Sequence, residues 1–408
     1  MKVAVVYQYY QGHSSPGHSL VYELTQHLAA EGHSVTVVSG QTGYMQRDKP
    51  VLPWYRRLIL KEREGLVKII RTYTYSELHR SYMGRLISFL SFSVTAPFGL
   101  LQAEKPDVVL ASSPPIFPML PIWVVCKLRG IPLVFEVRDL WPESAVQMGI
   151  LRNRLLISIM SWMERLLYDK AKRVVTLTQG IRNDIHARGW PASKLEVITC
   201  GVDTQMLYPD AEAGDVVRRN FGWEGRNIVL YFGAMGEANN LDVVIEAAVQ
   251  CKDENTLFLL IGDGMKRAYL EQRITDLKIN NVLLLPPVSK HEARGFINAA
   301  DLCLVTLKDI PLFKGAIPTK LLDYMACGRP VLCGVEGEAA DIVQEAQAGI
   351  AFQPNSSQQL TTIIAELMDN EPLRSKMGRS GAQYVKNNFD AVQSRAAMTA
   401  LLEAVSVG

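Results

Sequence analysis

Short apolar runs rich in β-branched residues alternate with amphipathic helical patterns along nearly the whole chain. Val3–Tyr7 reads as a strand, 17–31 as a helix, and Ser34–Ser39 as the next strand. Val108–Ala111, Leu133–Val137, Val174–Leu177 and Leu195–Ile198 continue the series, with helical patterns such as Leu155–Lys172 between them. Strands that are apolar throughout must be covered on both faces, and helices between them supply the cover. That is the pattern of a doubly wound parallel α/β sheet. The alternation pauses at the polar, Pro- and Gly-containing stretch Tyr208–Asp215, the best linker candidate. It restarts at Ile228–Phe232 and runs on through Leu257–Ile261, Val282–Leu285, Leu302–Val305, Pro330–Cys333 and Ile350–Phe352. A chain of 408 residues has room for two such units. The expected division is 1–207, 208–380, and a helical tail over 381–408 that packs back on the first unit.

Hydrophobic residues make up 48% and charged residues 21%, which fits a folded globular chain. The net charge of +2 hides an asymmetry. Residues 1–200 hold 24 Lys and Arg against 15 Asp and Glu, and the remainder 19 against 26. The two halves should therefore meet different partners. The six cysteines are scattered, mostly in apolar runs and without CxxC spacing, so buried thiols are expected rather than disulfides or zinc. A strand begins at Lys2, so no leader peptide is expected and a cytoplasmic location is. Two stretches, Leu86–Ala103 and Val108–Cys126, carry no charge. Prolines and hydroxyl residues argue against a membrane span for both, and they read as buried or interfacial. The segment Trp54–Arg85 mixes eight Lys and Arg residues with Trp54, Tyr55, Tyr73, Tyr75 and Tyr82. It suits an anionic membrane surface or a solvated face. No motif for nucleic acid accompanies it, and no nucleic-acid partner is expected.

The stretch Ile317-Pro-Thr-Lys-Leu-Leu-Asp-Tyr-Met-Ala-Cys-Gly-Arg-Pro-Val331 reads as loop, helix, turn and strand. Thr319 is placed to cap the helix, and Lys320 stands in its first turn, where free N–H groups already favour an anion. Asp323 follows one turn later. A cation and a carboxylate there can hold a phosphate and a sugar hydroxyl together, although an ordinary surface lysine on a βα unit has the same pattern. Gly12 and Gly17 flank the loop after the first strand, where glycine allows close backbone approach, but GxGxxG is absent and a nicotinamide cofactor is not supported.

Several patterns in order resemble the family 4 glycosyltransferases, whose GT-B fold consists of two facing Rossmann-like doubly wound domains with a deep interdomain cleft. They are the loop Tyr7–His18, the strand Gly32–Val38, Phe135-Glu-Val-Arg-Asp-Leu-Trp-Pro-Glu-Ser144, Gly262-Asp-Gly264, and the Pro-Thr-Lys to Pro-Val stretch. The third of these, the decapeptide from Phe135, resembles the bacterial subgroup that includes N-acetylfucosamine transferases of O-antigen and capsule synthesis.

The resemblance implies a retaining glycosyltransferase that moves a sugar from a nucleotide diphosphate, with UDP as the expected nucleotide, to a hydroxyl of a glycan or polyprenyl-diphosphate-linked acceptor. The enzyme would work in the cytoplasm, peripherally at the inner face of the plasma membrane. No cofactor is expected, since the nucleotide sugar is a substrate, and no metal, since Asp-x-Asp is absent. Candidate catalytic residues are Arg138, Asp139 and Glu143. Candidate acceptor contacts are His13 and His18. Candidate donor contacts are Gly17, Gly233, Gly236, Asn239, Asp263, Val288, Lys320 and Asp323. Where many members carry Arg and Lys in the donor loop, this chain has Ala234 and Asn239 or Asn240. The family's Glu-x7-Glu pair is incomplete, its first position falling on Gly315 and its second on Asp323. Backbone N–H groups of Gly233 to Gly236 and Lys320 would then have to neutralise the diphosphate. A UDP-sugar 2-epimerase of the same fold and a non-catalytic sugar-binding subunit remain the alternatives.

Overall fold

The structure, a computed structural model, describes residues 1–12, 20–41, 58–76 and 82–407. It divides into two compact units. Unit 1 is Met1–Thr199 with Ser394–Gly408, and unit 2 is Cys200–Gln393.

The strands of unit 1 are β1 (Lys2–Val6), β2 (Ser34–Gly40), β3 (Ile59–Glu64), β4 (Val67–Thr72), β5 (Val108–Ser113), β6 (Leu133–Val137), β7 (Arg173–Thr176) and β8 (Leu195–Val197). They form a sheet in the order β3-β4-β2-β1-β5-β6-β7-β8. Every pair is parallel except β3 with β4. Central strands are buried end to end, as their uniform apolar runs require: all of β5 and β6 is buried. Helices α1 (Leu20–Ala30), α2 (Tyr82–Gln102), α3 (Met119–Arg129), α4 (Glu143–Gln147), α5 (Arg154–Lys170) and α6 (Gln179–Ala187) connect them. On one sheet face, Val21, Leu24 and Leu28 of α1 pack with Val3, Val5 and Leu110. On the other, α2 lies so close that a Cβ at Gly99 would stand 2.7 Å from Thr72 and 2.8 Å from Val38. Tyr168 of α5 packs on Phe135.

The segment Trp54–Arg85 is not one continuous surface stretch. Its Lys61, Arg63, Lys68 and Arg71 belong to the β3–β4 hairpin, which turns at Gly65 with φ 60°. Arg71 is committed to structure: it donates to Glu62 at 2.8 Å and to the carbonyls of Tyr10 and Gly40. Trp54 to Arg57 and Arg80 lie outside the described residues.

Unit 2 contains α7 (Ala211–Phe221), β9 (Asn227–Phe232), α8 (Asp242–Gln250), β10 (Thr256–Ile261), α9 (Arg267–Asp276), β11 (Val282–Leu285), α10 (Lys290–Ala299), β12 (Leu302–Thr306), α11 (Thr319–Ala326), β13 (Val331–Gly334), α12 (Glu338–Glu345), β14 (Gly349–Ala351), α13 (Ser357–Met368) and α14 (Glu371–Asn388). Its all-parallel sheet runs β11-β10-β9-β12-β13-β14. The expected linker Tyr208–Asp215 is mostly helix, because Asp210 caps α7 by accepting from Ala213 N. The division falls at Thr199 instead of 207, since Val202 pairs with Asp390 and donates to Phe389 O at 2.9 Å.

The tail also differs from the single helix expected. Phe389 and Asp390 interrupt it, and a last helix, α15, spans Ala391–Val407. Residues 381–388 stay in unit 2, where α14 packs on α11; only Ser394 onward returns to unit 1. There Met398, Leu402 and Val405 complete the face formed by β1, β5 and α1.

Gly378 of α14 is buried against Gly328, and a Cβ there would stand 2.0 Å from the Gly328 carbonyl oxygen. Intrinsic helix propensity favours alanine at such a position, but the clash is with backbone and cannot be relieved by a rotamer. Gly378→Ala is expected to destabilise unit 2 by about 1–3 kcal/mol in urea unfolding. Gly381→Ala, which meets side chains and not backbone, the Ala348 methyl at 3.0 Å and Met325 at 3.4 Å, should cost less. Equal or greater stability of Gly378→Ala would contradict this packing.

Candidate functional site

In a parallel α/β sheet, side chains and loops that meet a ligand gather at the C-terminal ends of the strands. In unit 2 two backbone loops converge there. Gly233 follows β9 with φ 138°, and Gly262 and Gly264 follow β10 with φ 151° and 156°. A Cβ at Gly262 would lie 1.8 Å from Gly233 O, and one at Gly264 would lie 2.4 Å from Met235 O. Only glycine satisfies both the dihedrals and the approach.

Lys320, in the first turn of α11, reaches this point. A Cβ at Gly233 would stand 3.1 Å from its Nζ. The ammonium lies 3.7 Å from the centroid of the Tyr231 ring, a close cation–π contact. Tyr231 is itself fixed, buried and donating its hydroxyl to Ala234 O at 2.6 Å. The stem of Lys320 is half-buried, yet its Nζ is shut off from solvent and has no hydrogen-bond partner among the described residues. Burial pushes this ammonium down to about 7, against the opposing charge of Asp323. Tyr324 braces the same corner: its hydroxyl accepts from Phe232 N at 2.7 Å. Thr319 does not cap α11; it is the first helical residue, after Pro318, and makes no side-chain cap bond.

The loop after β9 differs from expectation in a second way. Gly233 N donates to Ile261 O, Met235 N to Asp263 O, and Gly236 N to Asn239 Oδ1. Three of the four N–H groups assigned to a diphosphate are thus consumed by the fold. Asn239 serves the loop itself, accepting also from Thr306 Oγ1 through its carbonyl. Asp263 is buried, with Oδ1 accepting from Gly264 N at 2.8 Å. The cations come instead from neighbouring loops. Lys266, after β10, lies 3.2 Å from Glu237 Oε2, and Lys308, after β12, pairs with Glu237 Oε1. Burial raises the Glu237 carboxyl, but the two lysines outweigh it and hold the group below its ordinary range. The only sequence signal for this cluster was position: both lysines stand within a few residues of strand C-termini. Val288 is placed differently from Lys320. It packs at the edge of the unit 2 core and lines a 760 Å³ cavity with Leu285, Pro286 and His291.

In unit 1, Arg138 and Asp139 directly follow β6. Arg138 lies over the Tyr7 ring at 5.7 Å and 3.9 Å from Glu136, whose Oε2 also accepts from Ser112. The Asp139 carboxylate accepts from Ser144 Oγ at 3.0 Å in the first turn of α4. Burial raises its pKa; bonds from Ser144, Leu140 and Trp141 and the charge of Arg85 oppose it. Glu143 accepts from Gln147 at 2.8 Å. The structure therefore clusters Arg138, Asp139 and Glu143 at one strand end, with Asp139 engaged in holding α4. His13, Gly17 and His18 lie outside the described residues.

Comparison with known proteins gives this geometry a family. The family model described as "Glycosyl transferases group 1" matches residues 215–384, and that described as "Glycosyl transferase 4-like domain" matches 18–201. A putative colanic acid biosynthesis glycosyl transferase, WcaI, of Escherichia coli is 26% identical over 317 residues, 75% of this chain and 76% of that protein. A probable glycosyltransferase, WbjE, of Pseudomonas aeruginosa is 25% identical, over 71% and 72%. The Anabaena protein HepE, solved in complex with UDP-glucose, superposes with a TM-score of 0.73 at 18% identity, over 99% of this chain and 100% of that one. Sucrose-phosphate synthase from Thermosynechococcus elongatus gives 0.74 at 16%, over 99% and 98%. The chain belongs to the family 4 glycosyltransferases, an enzyme family with the GT-B fold.

Proposed function

We propose that unit 2 binds a UDP-sugar and that the enzyme transfers the sugar, with retention, to a hydroxyl of a glycan or polyprenyl-diphosphate-linked acceptor at the inner face of the plasma membrane. The observation that carries the donor reading is the ammonium of Lys320, buried at the end of β9 without a hydrogen-bonding partner among the described residues. A buried cation in that state is costly, and a diphosphate oxygen would relieve it. We assign Asp323, one turn along α11, to the ribose hydroxyls. Lys266 and Lys308, gathered on Glu237, add positive charge beside the same loop. HepE, of the same fold, was solved with UDP and with UDP-glucose, which supports the choice of nucleotide.

Retention without a protein nucleophile proceeds on one face of the sugar. The bond from the anomeric carbon to the diphosphate oxygen breaks as the acceptor oxygen bonds to that carbon. The acceptor's proton passes to the departing diphosphate oxygen. The protein's part is to stabilise charge on the leaving diphosphate, which Lys320 does best while protonated. Arg138, at the end of β6, is the side chain assigned to a substrate in unit 1, and Asp139 positions the turn that presents it.

Titration calorimetry with UDP tests the donor site. Lys320→Ala should weaken binding by about tenfold or more; unchanged affinity removes Lys320 from the site. The wild-type titration should also depend on pH in a set direction. In the free protein Lys320 loses its proton near pH 7, so binding above that pH must take up a proton. Affinity for UDP should fall as pH rises from about 7 to 9, with proton uptake visible as a buffer-dependent heat that Lys320→Ala lacks. The same depressed pKa makes the free protein more stable as pH rises from about 7 toward 10.5, because the unfolded chain then holds the extra proton. Activity is checked by incubating UDP-sugars with candidate acceptors and following products by NMR. A new glycosidic bond with the donor's anomeric configuration is expected. Inversion would remove the front-face course, and an epimerised donor without transfer would replace this reading with the epimerase.

A further inference from the structure

The outer surface of helices α2, α3 and α5 has a composition unusual for a face in water. On α2 every exposed residue from Met83 to Leu101 is apolar: Met83, Ile87, Leu90, Val94, Phe98 and Leu101. Their spacing of three and four residues sets them in one stripe, roughly 27 Å long at the rise of an α-helix. The opposite side of α2, with Phe89, Phe92, Ala96 and Leu100, is buried in unit 1. The helix is long and apolar enough to cross a membrane, but that packing holds it against the sheet. Its neighbour α3 continues the surface with Val124 and Leu128, the latter 80% exposed. Beyond α3, α5 adds Leu155, Ile159 and Trp162, the last 57% exposed. Soluble monomers rarely leave an apolar patch of this extent uncovered.

The charges around the patch identify what covers it. No carboxylate occurs in α2, in α3, or in α5 before Glu164, which is itself buried and bonded to Tyr168. The charged residues nearest the stripe are cations: Lys127 over the Trp123 ring, Arg152 and Arg154 at the start of α5, and Arg165. The exposed carboxylates just past the ends of the apolar turns of α2 and α5, Glu104 and Asp169, are engaged by Lys2 and by the Trp190 indole N–H. Lys127 also opens onto a 560 Å³ cavity whose charged lining is Lys170, Lys172, Arg173 and Lys194. A second copy of this chain would bring cations against cations, since among the described residues the nearest exposed carboxylates, Glu104 and Asp169, already have partners. An anionic bilayer accepts both components, apolar side chains below the headgroups and lysines and arginines among the phosphates.

We propose that unit 1 docks on an anionic phospholipid bilayer through the outer face of α2, α3 and α5, with α2 lying in the plane of the surface. This deepens the membrane-side acceptor proposed above by naming the docking face, and it moves that face away from the β3–β4 hairpin to which the basic residues 61–71 belong.

The test is flotation of the full chain with vesicles of phosphatidylcholine alone and of phosphatidylcholine with about 30% phosphatidylglycerol at low salt. Binding to the anionic vesicles and much weaker binding to the neutral ones is expected. The triple variant Val94→Ser, Phe98→Ser and Leu128→Ser alters only exposed side chains, and should reduce the vesicle-bound fraction about tenfold. Its UDP affinity, measured in parallel, should equal that of the wild type, which shows that the variant is folded. Loss of UDP binding by the wild type would count against the donor site and leave the docking result standing. Failure of the wild type to float with anionic vesicles, or equal flotation of the variant, overturns the proposal. So does sedimentation showing a dimer that the same three substitutions dissociate.

Discussion

Gly262 stands so close to the carbonyl of Gly233 that one methyl group would come within 1.8 Å of its oxygen. This contact of backbone on backbone ties the loop after β9 to the loop after β10. It consumes N–H groups of the first loop in bonds to the second, as Gly233 N bonds Ile261 O and Met235 N bonds Asp263 O. With those donors spent, positive charge must come from side chains. Lys320 arrives from α11 and is held over Tyr231; Lys266 and Lys308 arrive from the ends of β10 and β12 and meet on Glu237. The electrostatics of the site thus follow from how tightly two glycine loops pack.

The sheet was legible because its strands are uniformly apolar. Leu133–Val137 and Val282–Leu285 were bounded to the residue, and the other runs used above to one residue at either end, except Val108–Ala111, which stops two residues short of the end of β5. The β3–β4 hairpin was not legible. Lys61, Glu62 and Arg63 of β3 face solvent at the sheet edge, so the strand carries no hydrophobic alternation to read. The linker was misplaced for a related reason. Pro209 and Asp210 have the composition of a turn, yet Asp210 is the cap from which α7 begins.

At the site, Lys320 was legible from its place near a helix start, and its burial was not. That state depends on Tyr231 and Gly233, residues almost ninety positions away, which pairwise spacing in a sequence cannot connect. Lys266, Lys308 and Glu237 were missed for the same reason. Each is an ordinary surface residue in its own segment, and only the parallel order of β10, β9 and β12 makes them neighbours. Gly233 and Gly236 were read as phosphate binders through their N–H groups. The structure gives those groups to Ile261 and Asn239, so the glycines matter for approach.

The last helix carries a consequence for the order of events during synthesis. Unit 2 is one uninterrupted segment, Cys200–Gln393, and all of it is made before Ser394–Gly408, the segment that returns to unit 1. Unit 1 is begun first but is not complete first. Its face around Val3, Val5 and Leu110 is covered by Met398, Leu402 and Val405, which are made only after the whole of unit 2. The earlier unit therefore keeps an apolar face open until Ser394–Gly408 has been added. A ribosome that stalls just after Gln393 releases a chain with a finished second unit and an uncapped first one, the form most exposed to aggregation and to chaperone capture.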